Sequence, residues 1–317
     1  MGFEPLLGNE RLKDNLRSSL QKGRISHFYL ICGPEGSGKH TLSRLLAAAI
    51  HCQDPARPCL RCAACRKVLD NAHPDFITVD DPEKKTVSVE LIRQARADIY
   101  IQPNEAEHKI YLFPRAQDMG LPGQNALLKV LEEPPKYGVF LLLTDNPEKL
   151  LPTVRSRCVE LTLQPLPEQT LRRQLSHDYP DAGEEAVAAA IARCGGYLGQ
   201  AKQLLENGDH LPPQTEAFAR SFARRDTLGL LQVLVPMEKW KRDQLADLLT
   251  AWVELLESAL ACRAGLPAVS ALARQLSTSR SSADLMNAIT QLQKAIEYVQ
   301  GNVSPAAVCG YLEWALR

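Results

Sequence analysis

A glycine-rich segment near the start of the chain has the residue types and spacing of a phosphate-binding loop. It follows the pattern G-x-x-x-x-G-K, from Gly33 to Lys39. An apolar run precedes it and a helical pattern over residues 42–50 follows it, which is the context that this motif requires. Backbone amides freed by glycine can surround phosphate oxygens, and the lysine can reach the terminal phosphates. The candidate nucleotide-binding residues are Gly33, Gly36, Ser37, Gly38, Lys39, His40 and Thr41.

The residue that follows Lys39 argues against a magnesium site. A phosphate-binding loop places Ser or Thr there, because the hydroxyl oxygen binds Mg²⁺. This chain has His40 instead, and Thr41 comes one residue too late. An imidazole nitrogen is a poor ligand for a hard cation that prefers oxygen. The sequence therefore leaves the binding of ATP or ADP open and makes efficient positioning of Mg²⁺ doubtful.

The carboxylates that ATP hydrolysis needs are also missing. They should follow a second strand, one to bind Mg²⁺ and one to activate water. The apolar run over residues 109–113 is instead followed by Pro114 and Arg115, and neither side chain can bind a metal or accept a proton from water. The alternative strand ends in Asp80-Asp81, earlier in the chain than the acidic strand usually falls. The sequence predicts a site that does not hydrolyse ATP.

Four cysteines fall within fourteen residues, in the pattern C-x6-C-x2-C-x2-C. They are Cys52, Cys59, Cys62 and Cys65. Four thiolates at such spacing are the ligand set of a tetrahedral structural zinc. Surface thiols or one redox-active pair are the alternatives, and four cysteines in so short a segment favour zinc over both. A site closed by four thiolates has no open position for catalysis, so the predicted role is structural.

Five apolar runs alternate with amphipathic segments in the first half of the chain. Continuous apolar runs bounded by turn residues are typical of parallel strands with helices on both faces. A buried helix can mimic one such run, but five of them favour a sheet. The predicted strands cover residues 28–32, 76–79, 109–113, 139–144 and 159–163. The predicted fold class of this part is α/β with a parallel sheet.

Beyond residue 165 the strand signals stop and helical periodicity takes over. Gly195 and Gly196 indicate a helix end and a turn, and long helical patterns cover residues 242–264 and 284–299. The predicted organisation is therefore an α/β domain, a small helical domain and an all-helical C-terminal domain. Their predicted ranges are 1–165, 166–207 and 208–317.

Composition excludes some classes of protein. Lys plus Arg and Asp plus Glu both number 37, so no overall basic field indicates a nucleic-acid binder. No stretch approaches the roughly 18 apolar residues that a membrane helix needs, and the N-terminus lacks the layout of a secretory signal. The sequence predicts a cytoplasmic protein whose cysteines are reduced or bound to metal.

Four motifs in combination resemble the bacterial DNA polymerase III clamp loader, a branch of the AAA+ family. They are residues 23–30 before the phosphate loop, the four-cysteine insertion, residues 125–135 (NALLKVLEEPP), and Ser156-Arg157-Cys158. Together they span roughly residues 5–165, and the helical remainder carries no motif of its own. The resemblance implies a P-loop domain, a lid, and a C-terminal collar through which the subunits assemble.

Within that family the chain departs from the ATP-hydrolysing motor subunits, gamma and tau. The motors carry Thr in the phosphate loop where this chain has His40, and an Asp-Glu pair where it has Pro114 and Arg115. They also carry a nucleotide-sensing arginine in the lid, at the place of Gly199. These departures resemble the delta-prime type of subunit, which is not an ATPase on its own.

The resemblance gives Arg157 a chemical role as an arginine finger inserted into the ATP site of a neighbouring subunit. A guanidinium is permanently charged and can stabilise the charge on a transferred phosphoryl group. Arg155 is close enough in sequence to compete for this role, although Arg157 is the matched position. A surface arginine without such a role is the alternative.

The resemblance implies a scaffold role in the DNA polymerase III holoenzyme, in loading the sliding clamp (beta) onto primer-template DNA. The implied partners are the gamma/tau and delta subunits, with the clamp and DNA reached through the complex, at the replication fork of the nucleoid. An active gamma/tau-like ATPase or an unrelated P-loop enzyme is the alternative, against which Pro114 and Arg115 argue. A DNA-binding role for the cysteine segment is disfavoured because its basic residues are few and no aromatic residues separate them.

Overall fold

The computed structural model describes residues 2–84, 86–206, 212–265 and 270–316. The chain divides into two compact units, Met1–Gln203 and Leu204–Arg317. The predicted boundary between lid and C-terminal domain, at 207/208, lies outside the described residues. The further division of the first unit at residue 165 stays a prediction.

A parallel five-stranded sheet forms the centre of the first unit. Its strands are β1 (Phe28–Cys32), β2 (Phe76–Thr78), β3 (Lys109–Phe113), β4 (Gly138–Thr144) and β5 (Val159–Thr162). They are arranged in the order β2-β3-β4-β1-β5, and every neighbouring pair is parallel. The predicted strands are confirmed, with differences of one residue at the ends of β2, β4 and β5.

The apolar runs became strands because both faces of the sheet are covered. Every residue of β1, β3 and β4 is buried. Successive side chains of a strand point to opposite faces, so Ile31 packs in the core that contains Leu42, while Leu30 packs in the one that contains Leu127. A continuous apolar sequence is the pattern that two buried faces require.

Nine helices surround this sheet or follow it within the described residues up to 206. They are α1 (Glu10–Gln21), α2 (Lys39–His51), α3 (Ala63–Leu69), α4 (Val89–Asp98), α5 (Leu121–Glu132), α6 (Pro152–Arg155), α7 (Glu168–Asp178), α8 (Glu184–Arg193) and α9 (Leu198–Glu206). Short 3-10 helices cover Ala116–Asp118 and Pro147–Lys149. The predicted turn after α8 is confirmed, since Gly195 and Gly196 have φ angles of 55° and 89°.

The second unit is helical throughout its described residues. Its helices are α10 (Pro213–Arg224), α11 (Thr227–Met237), α12 (Arg242–Arg263), α13 (Ala271–Ser279), α14 (Ser282–Gln300) and α15 (Pro305–Ala315). Trp252 of α12 is buried and stacks on Phe218 with ring centroids 4.0 Å apart. Its Nε1–H donates to Thr215 Oγ1 at 3.2 Å, so the one polar group of this large side chain is satisfied inside the core.

The fold class predicted from the sequence is confirmed as an α/β unit with a parallel sheet followed by an all-helical part. Among the described helices, none combines the length and the apolar character that crossing a lipid bilayer requires.

Candidate functional site

The phosphate loop joins the end of β1 to the start of α2, at the carboxyl edge of the sheet. Gly36 and Gly38 have φ angles of 73° and 97°, a left-handed conformation that glycine adopts without strain. Gly38 is the N-cap residue of α2, which begins at Lys39. Free N–H groups at a helix N-terminus favour an anion, so this end of α2 is suited to phosphate.

The ammonium group of Lys39 lies over the loop. Its Nζ donates to the carbonyl oxygens of Gly33 at 2.6 Å and Pro34 at 2.8 Å. Burial lowers the pKa of Lys39, and the carboxylates of Asp145 and Glu35 act in the opposite direction. Lys39 is thus held at the loop by main-chain oxygens, for which phosphate oxygens can substitute as acceptors.

A cavity of about 890 Å³ opens beside the loop, which is within the size range of about 300–1,000 Å³ typical of ligand sites. The phosphate loop and Asp145 line its polar part, and the N-terminal segment and lid line its apolar part. The apolar residues of these two segments are Pro5, Leu6, Leu7, Leu166, Tyr197 and Leu198, and Pro114 adds an apolar group beside Arg115. A nucleotide with its phosphates at the loop matches this distribution of polar and apolar groups.

His40 and Thr41 lie in the first turn of α2 and line the same cavity. Burial away from solvent lowers the pKa of His40, and the nearby positive charges of Arg44 and Lys39 lower this pKa further. The imidazole is therefore neutral at neutral pH. The side chain directly after Lys39 offers a nitrogen lone pair in place of the hard oxygen ligand that Mg²⁺ prefers.

An arginine rather than an acid follows β3. The guanidinium of Arg115 binds the Asp80 carboxylate, with Nη2–Oδ1 2.6 Å and Nε–Oδ1 3.2 Å. It also donates to the carbonyl oxygens of Lys84 and Asp81, each at 3.0 Å. The hydrogen bond with Asp80 raises the pKa of Arg115. This edge of the cavity therefore carries a permanent cation where hydrolysis requires metal-binding carboxylates.

Asp80 and Asp81, the alternative acidic pair, both interact with cations. Asp80 is bound by Arg115, and the Asp81 carboxylate lies 2.8 Å from Lys84 Nζ. Neither is among the described residues that line the cavity. β2 is also an edge strand, whereas β3 lies between β2 and β4 in the interior of the sheet. The arrangement supports β3 as the strand after which the acids would stand.

Gly199 takes the place at which the resemblance puts a nucleotide-sensing arginine. It is the second residue of α9, and its N–H donates to Gly36 O at 2.9 Å. A residue without a side chain cannot extend a cation towards a phosphate. His40, Arg115 and Gly199, which are far apart in sequence, all line the one cavity.

Charged residues that were not singled out from the sequence also line the cavity, among them Asp145 and Lys202. Asp145 follows the end of β4, and Lys202 lies on α9 one turn after Gly199. Lys202 Nζ lies 2.6 Å from Asp178 Oδ2. Asp145 could have been found from its position directly after a buried strand, because open α/β sheets bind ligands at that end of their strands. Lys202 could have been found from its spacing of three residues after Gly199, which puts both on one face of a helix.

Arg157 lies just after α6, away from the phosphate loop's cavity. Its side chain is 40% exposed, and its Nη2 lies 3.6 Å from Glu132 Oε1. Its Nη1 donates to Thr153 O at 3.1 Å. Glu132 belongs to the NALLKVLEEPP motif, so two motifs that are separate in sequence meet at this guanidinium.

Arg155, the alternative to Arg157, folds back onto its own chain. Its Nη1 lies 2.8 Å from Glu148 Oε1, and its side chain is 29% exposed. The shorter ion pair and the lower exposure leave Arg155 less accessible than Arg157 to a partner's phosphate.

The four cysteines of the insertion come together between the end of α2 and α3. Their sulfur atoms all lie within 4.8 Å of one another, and Sγ of Cys62 is 3.9 Å from Sγ of Cys52. A tetrahedral zinc with Zn–S bonds of about 2.3 Å places its sulfurs about 3.8 Å apart. The residues present therefore fit a zinc ion.

Backbone amides support this cysteine cluster. The N–H of Cys62 donates to Cys59 Sγ and the N–H of Cys65 to Cys62 Sγ, both at 3.4 Å. Hydrogen bonds of this kind favour the thiolate, which is the form that binds metal. Cys52 and Cys65 are buried, while Cys59 and Cys62 are half-buried. A closed set of four sulfurs is suited to a structural rather than a catalytic ion.

The sheet order β2-β3-β4-β1-β5, with a phosphate loop after β1 and a helical lid beside that loop, defines a P-loop protein of the AAA+ class. A family model described as "DNA polymerase III, delta subunit" matches residues 8–167, just over half of the 317 residues. The chain therefore belongs to this family, within the clamp-loader branch of AAA+ proteins.

Curated relatives carry names from the same complex. "DNA polymerase III subunit gamma" of Buchnera aphidicola (Schizaphis graminum) is 32% identical over 66% of this chain. "DNA polymerase III subunit tau" of Escherichia coli K12 is 36% identical over 55% of it. A gamma subunit-related protein of Thermotoga maritima is a solved structure that resembles 96% of this chain and 99% of its own, with 16% identity and a TM-score of 0.45. The chain spans 59% of the Buchnera relative and 27% of the Escherichia one.

Proposed function

We propose that this chain is a non-hydrolysing subunit of the delta-prime type in a DNA polymerase III clamp loader. The observation that carries the proposal is the Arg115–Asp80 ion pair, with Nη2–Oδ1 at 2.6 Å. It puts a permanent cation at the end of β3, where hydrolysis requires carboxylates to bind Mg²⁺ and to activate water. His40 and Gly199 support it, because they stand at this cavity in the places where the motor subunits carry a magnesium-binding hydroxyl and a nucleotide-sensing arginine.

Nucleotide binding is compatible with this function, although hydrolysis is not expected. The loop retains Lys39, its left-handed glycines and the N-terminus of α2, which are the parts that bind phosphate. ATP or ADP held there would act as a structural ligand. Such binding stabilises the folded state without any turnover.

Arg157 is the residue that performs chemistry in this proposal, and it does so in a neighbouring gamma/tau subunit. Its half-exposed guanidinium is joined to Glu132 at 3.6 Å. Exposed ion pairs contribute about 0–1 kcal/mol, so the side chain can exchange Glu132 for a phosphate at little cost. Its planar fork can then stabilise charge on the transferred phosphoryl group.

The four cysteines hold a structural zinc in this proposal. When bound, the ion supplies a tetrahedral crosslink between the end of α2 and α3 and no catalytic chemistry. The chain's own contribution is the N–H···S bonding at 3.4 Å that positions Cys59 and Cys62. The ion would fix a segment that contains no regular structure between Cys52 and Ala63.

The second unit supplies the assembly surface for gamma/tau and delta. Leu228 and Val235 of α11 and Trp314 of α15 are large apolar side chains that remain exposed. The first two are seven residues apart, so they lie on one face of their helix. Apolar side chains that are exposed together on one face mark protein contact surfaces, so the face of α11 that carries Leu228 and Val235 supports the role of a collar.

The proposed role of the whole complex is to load the sliding clamp onto primer-template DNA in replication. This chain would be a scaffold in it, acting in the cytoplasm at the replication fork. The balance of 37 basic and 37 acidic residues supports contact with clamp and DNA through the complex rather than through a broad basic surface of this chain.

An active ATPase of the gamma/tau type is the second candidate. The identities of 32% and 36% to relatives with those names favour it, and Lys39 fits both candidates. The two differ in one respect, which is whether the site of this chain hydrolyses ATP while the complex works.

A Lys39→Ala variant separates the two candidates in a reconstituted complex with gamma/tau and delta. ATP turnover in the presence of clamp and primed DNA is expected to stay nearly unchanged, because this chain's own site does not contribute to it. The matched control is the same change of the P-loop lysine in the motor subunit, which should remove most turnover. A large loss with Lys39→Ala would establish the ATPase candidate instead.

A further inference from the structure

The N-terminal turn of α9, in the lid, touches the phosphate loop through main-chain atoms. The N–H of Gly199 donates to Gly36 O at 2.9 Å. A Cβ added to Gly199 would lie 2.5 Å from Gly36 Cα and 2.8 Å from Gly36 O. A Cβ added to Gly36 would lie 2.5 Å from the Gln200 nitrogen. The phosphate loop and the start of α9 lie so close together that both position 36 and position 199 require glycine.

Two glutamine side chains strengthen the same contact. Gln200 Nε2 donates to Glu35 O at 3.0 Å, and Gln203 Nε2 donates to Glu35 Oε1 at 3.3 Å. Residues three apart lie on one face of a helix, so both amides of α9 reach the residue just before Gly36. The lid is therefore bonded to consecutive residues of the loop.

The chain that enters the lid is fixed as well. The N–H of Leu166 donates to Gly196 O at 2.7 Å. Gly196 has a φ of 89°, and a Cβ there would lie 2.5 Å from Pro165 Cβ. The start of the lid and the turn before α9 are thus tied together, which leaves α9 little freedom to leave the loop.

We propose that Gly36 and Gly199 form a latch that holds the lid on the phosphate loop independently of nucleotide. This inference rests on the proposed function, since a subunit that does not hydrolyse ATP needs no lid movement for turnover. In a motor subunit, the arginine that the resemblance puts at the place of Gly199 would bridge lid and loop through a bound phosphate. The glycine replaces that ligand-dependent bridge by direct contact between main chains.

Hydrogen–deuterium exchange of the full chain, read by mass spectrometry, tests the latch. In the wild-type protein the amides of residues 199–201 are expected to be equally protected with and without saturating ADP. Gly199→Ala should speed their exchange by about five- to tenfold, the factor that corresponds to the loss of one hydrogen bond. Alanine raises helix propensity, so without a latch the same change would slow exchange.

Gly310→Ala is the matched control, because Gly310 is also helical and a Cβ there meets nothing within 4 Å. In this variant, hydrogen exchange of the amides around position 310 should not become faster. If Gly199→Ala fails to fold, the double variant Gln200→Ala/Gln203→Ala removes the side-chain bonds without strain and should speed exchange of residues 199–201.

Protection of α9 that appears only after ADP is added would overturn the latch. So would unchanged or slower exchange in Gly199→Ala, or unchanged exchange in the double variant. These results are distinct from a failure of the proposed function, because ATP turnover by this chain or an inert Arg157 would be detected in turnover measurements and not by exchange.

Discussion

Replacing Arg157 by alanine is expected to leave the reconstituted clamp loader assembled and to slow hydrolysis at the neighbouring subunit's ATP site. Arginine fingers supplied in trans contribute about 10³–10⁵-fold to the rate. The total turnover of the complex should fall by the share of the one site that Arg157 serves. Steady-state ATP turnover with clamp and primed DNA measures the change, and gel filtration confirms assembly.

Two variants make the Arg157 result specific. Arg157→Lys keeps the positive charge and loses the planar fork, so its turnover should fall between those of the wild type and Arg157→Ala. Arg155→Ala is the matched control, because Arg155 is already paired with Glu148 at 2.8 Å, and it should behave like the wild type. Unchanged turnover in an assembled Arg157→Ala complex would contradict the finger assignment.

Loss of the zinc ligands is the change with the second large expected effect. Cys62→Ser should abolish the binding of one zinc per chain and lower the free energy of unfolding of the first unit. Structural zinc has apparent binding free energies of about 10–16 kcal/mol in small domains. Losing even part of this binding free energy would be a large effect, because the free energy of unfolding of a domain is only about 5–15 kcal/mol. Metal analysis of the purified protein and urea denaturation measure the two effects.

A second cysteine provides the control for the zinc experiment. Cys262 of α12 is half-buried, and Ser277 Oγ lies 3.5 Å from its sulfur. Cys262→Ser should keep both the metal content and the stability. A wild-type chain purified without zinc, or equal zinc content in Cys62→Ser, would contradict the assignment. Loss of DNA affinity in a Cys62→Ser chain that stays folded would instead support the DNA-binding alternative.

Much of the fold was predictable because its strands are buried on both faces. A strand of that kind must be apolar at nearly every position, and the runs at residues 28–32 and 109–113 matched β1 and β3 to the residue. The phosphate loop and the cysteine cluster were predictable for a related reason. Each is built from residues close together in sequence, so spacing alone indicates the site.

Contacts between distant segments could not be predicted in the same way. The sequence presented Arg115 as a missing acid and Asp80 as an alternative one, and it gave no sign that they pair with each other. They are 35 residues apart, and the local periodicity of either segment does not indicate which residue the other segment places nearby. The contacts of Arg157 with Glu132 and of Gly199 with Gly36 are of the same kind.

Gly199 shows how such a contact changes an interpretation. From the sequence it was a position at which an arginine is missing. In the structure it is a position at which no side chain fits, because a Cβ would lie 2.5 Å from Gly36 Cα. Steric exclusion of this sort depends on how closely two segments approach, and a single sequence does not encode that distance locally.

ATP turnover by the purified chain alone, measured before and after the motor subunit is added, tests directly whether the site of this chain hydrolyses ATP. We expect no hydrolysis by the chain alone, because Arg115 stands at the end of β3, His40 follows Lys39 and Gly199 takes the sensor position. We also expect ATP turnover in the mixture to be the same with the Lys39→Ala variant as with the wild type. Steady hydrolysis by the purified chain that Lys39→Ala abolishes would show that this site is an active ATPase and that the chain is not of the delta-prime type.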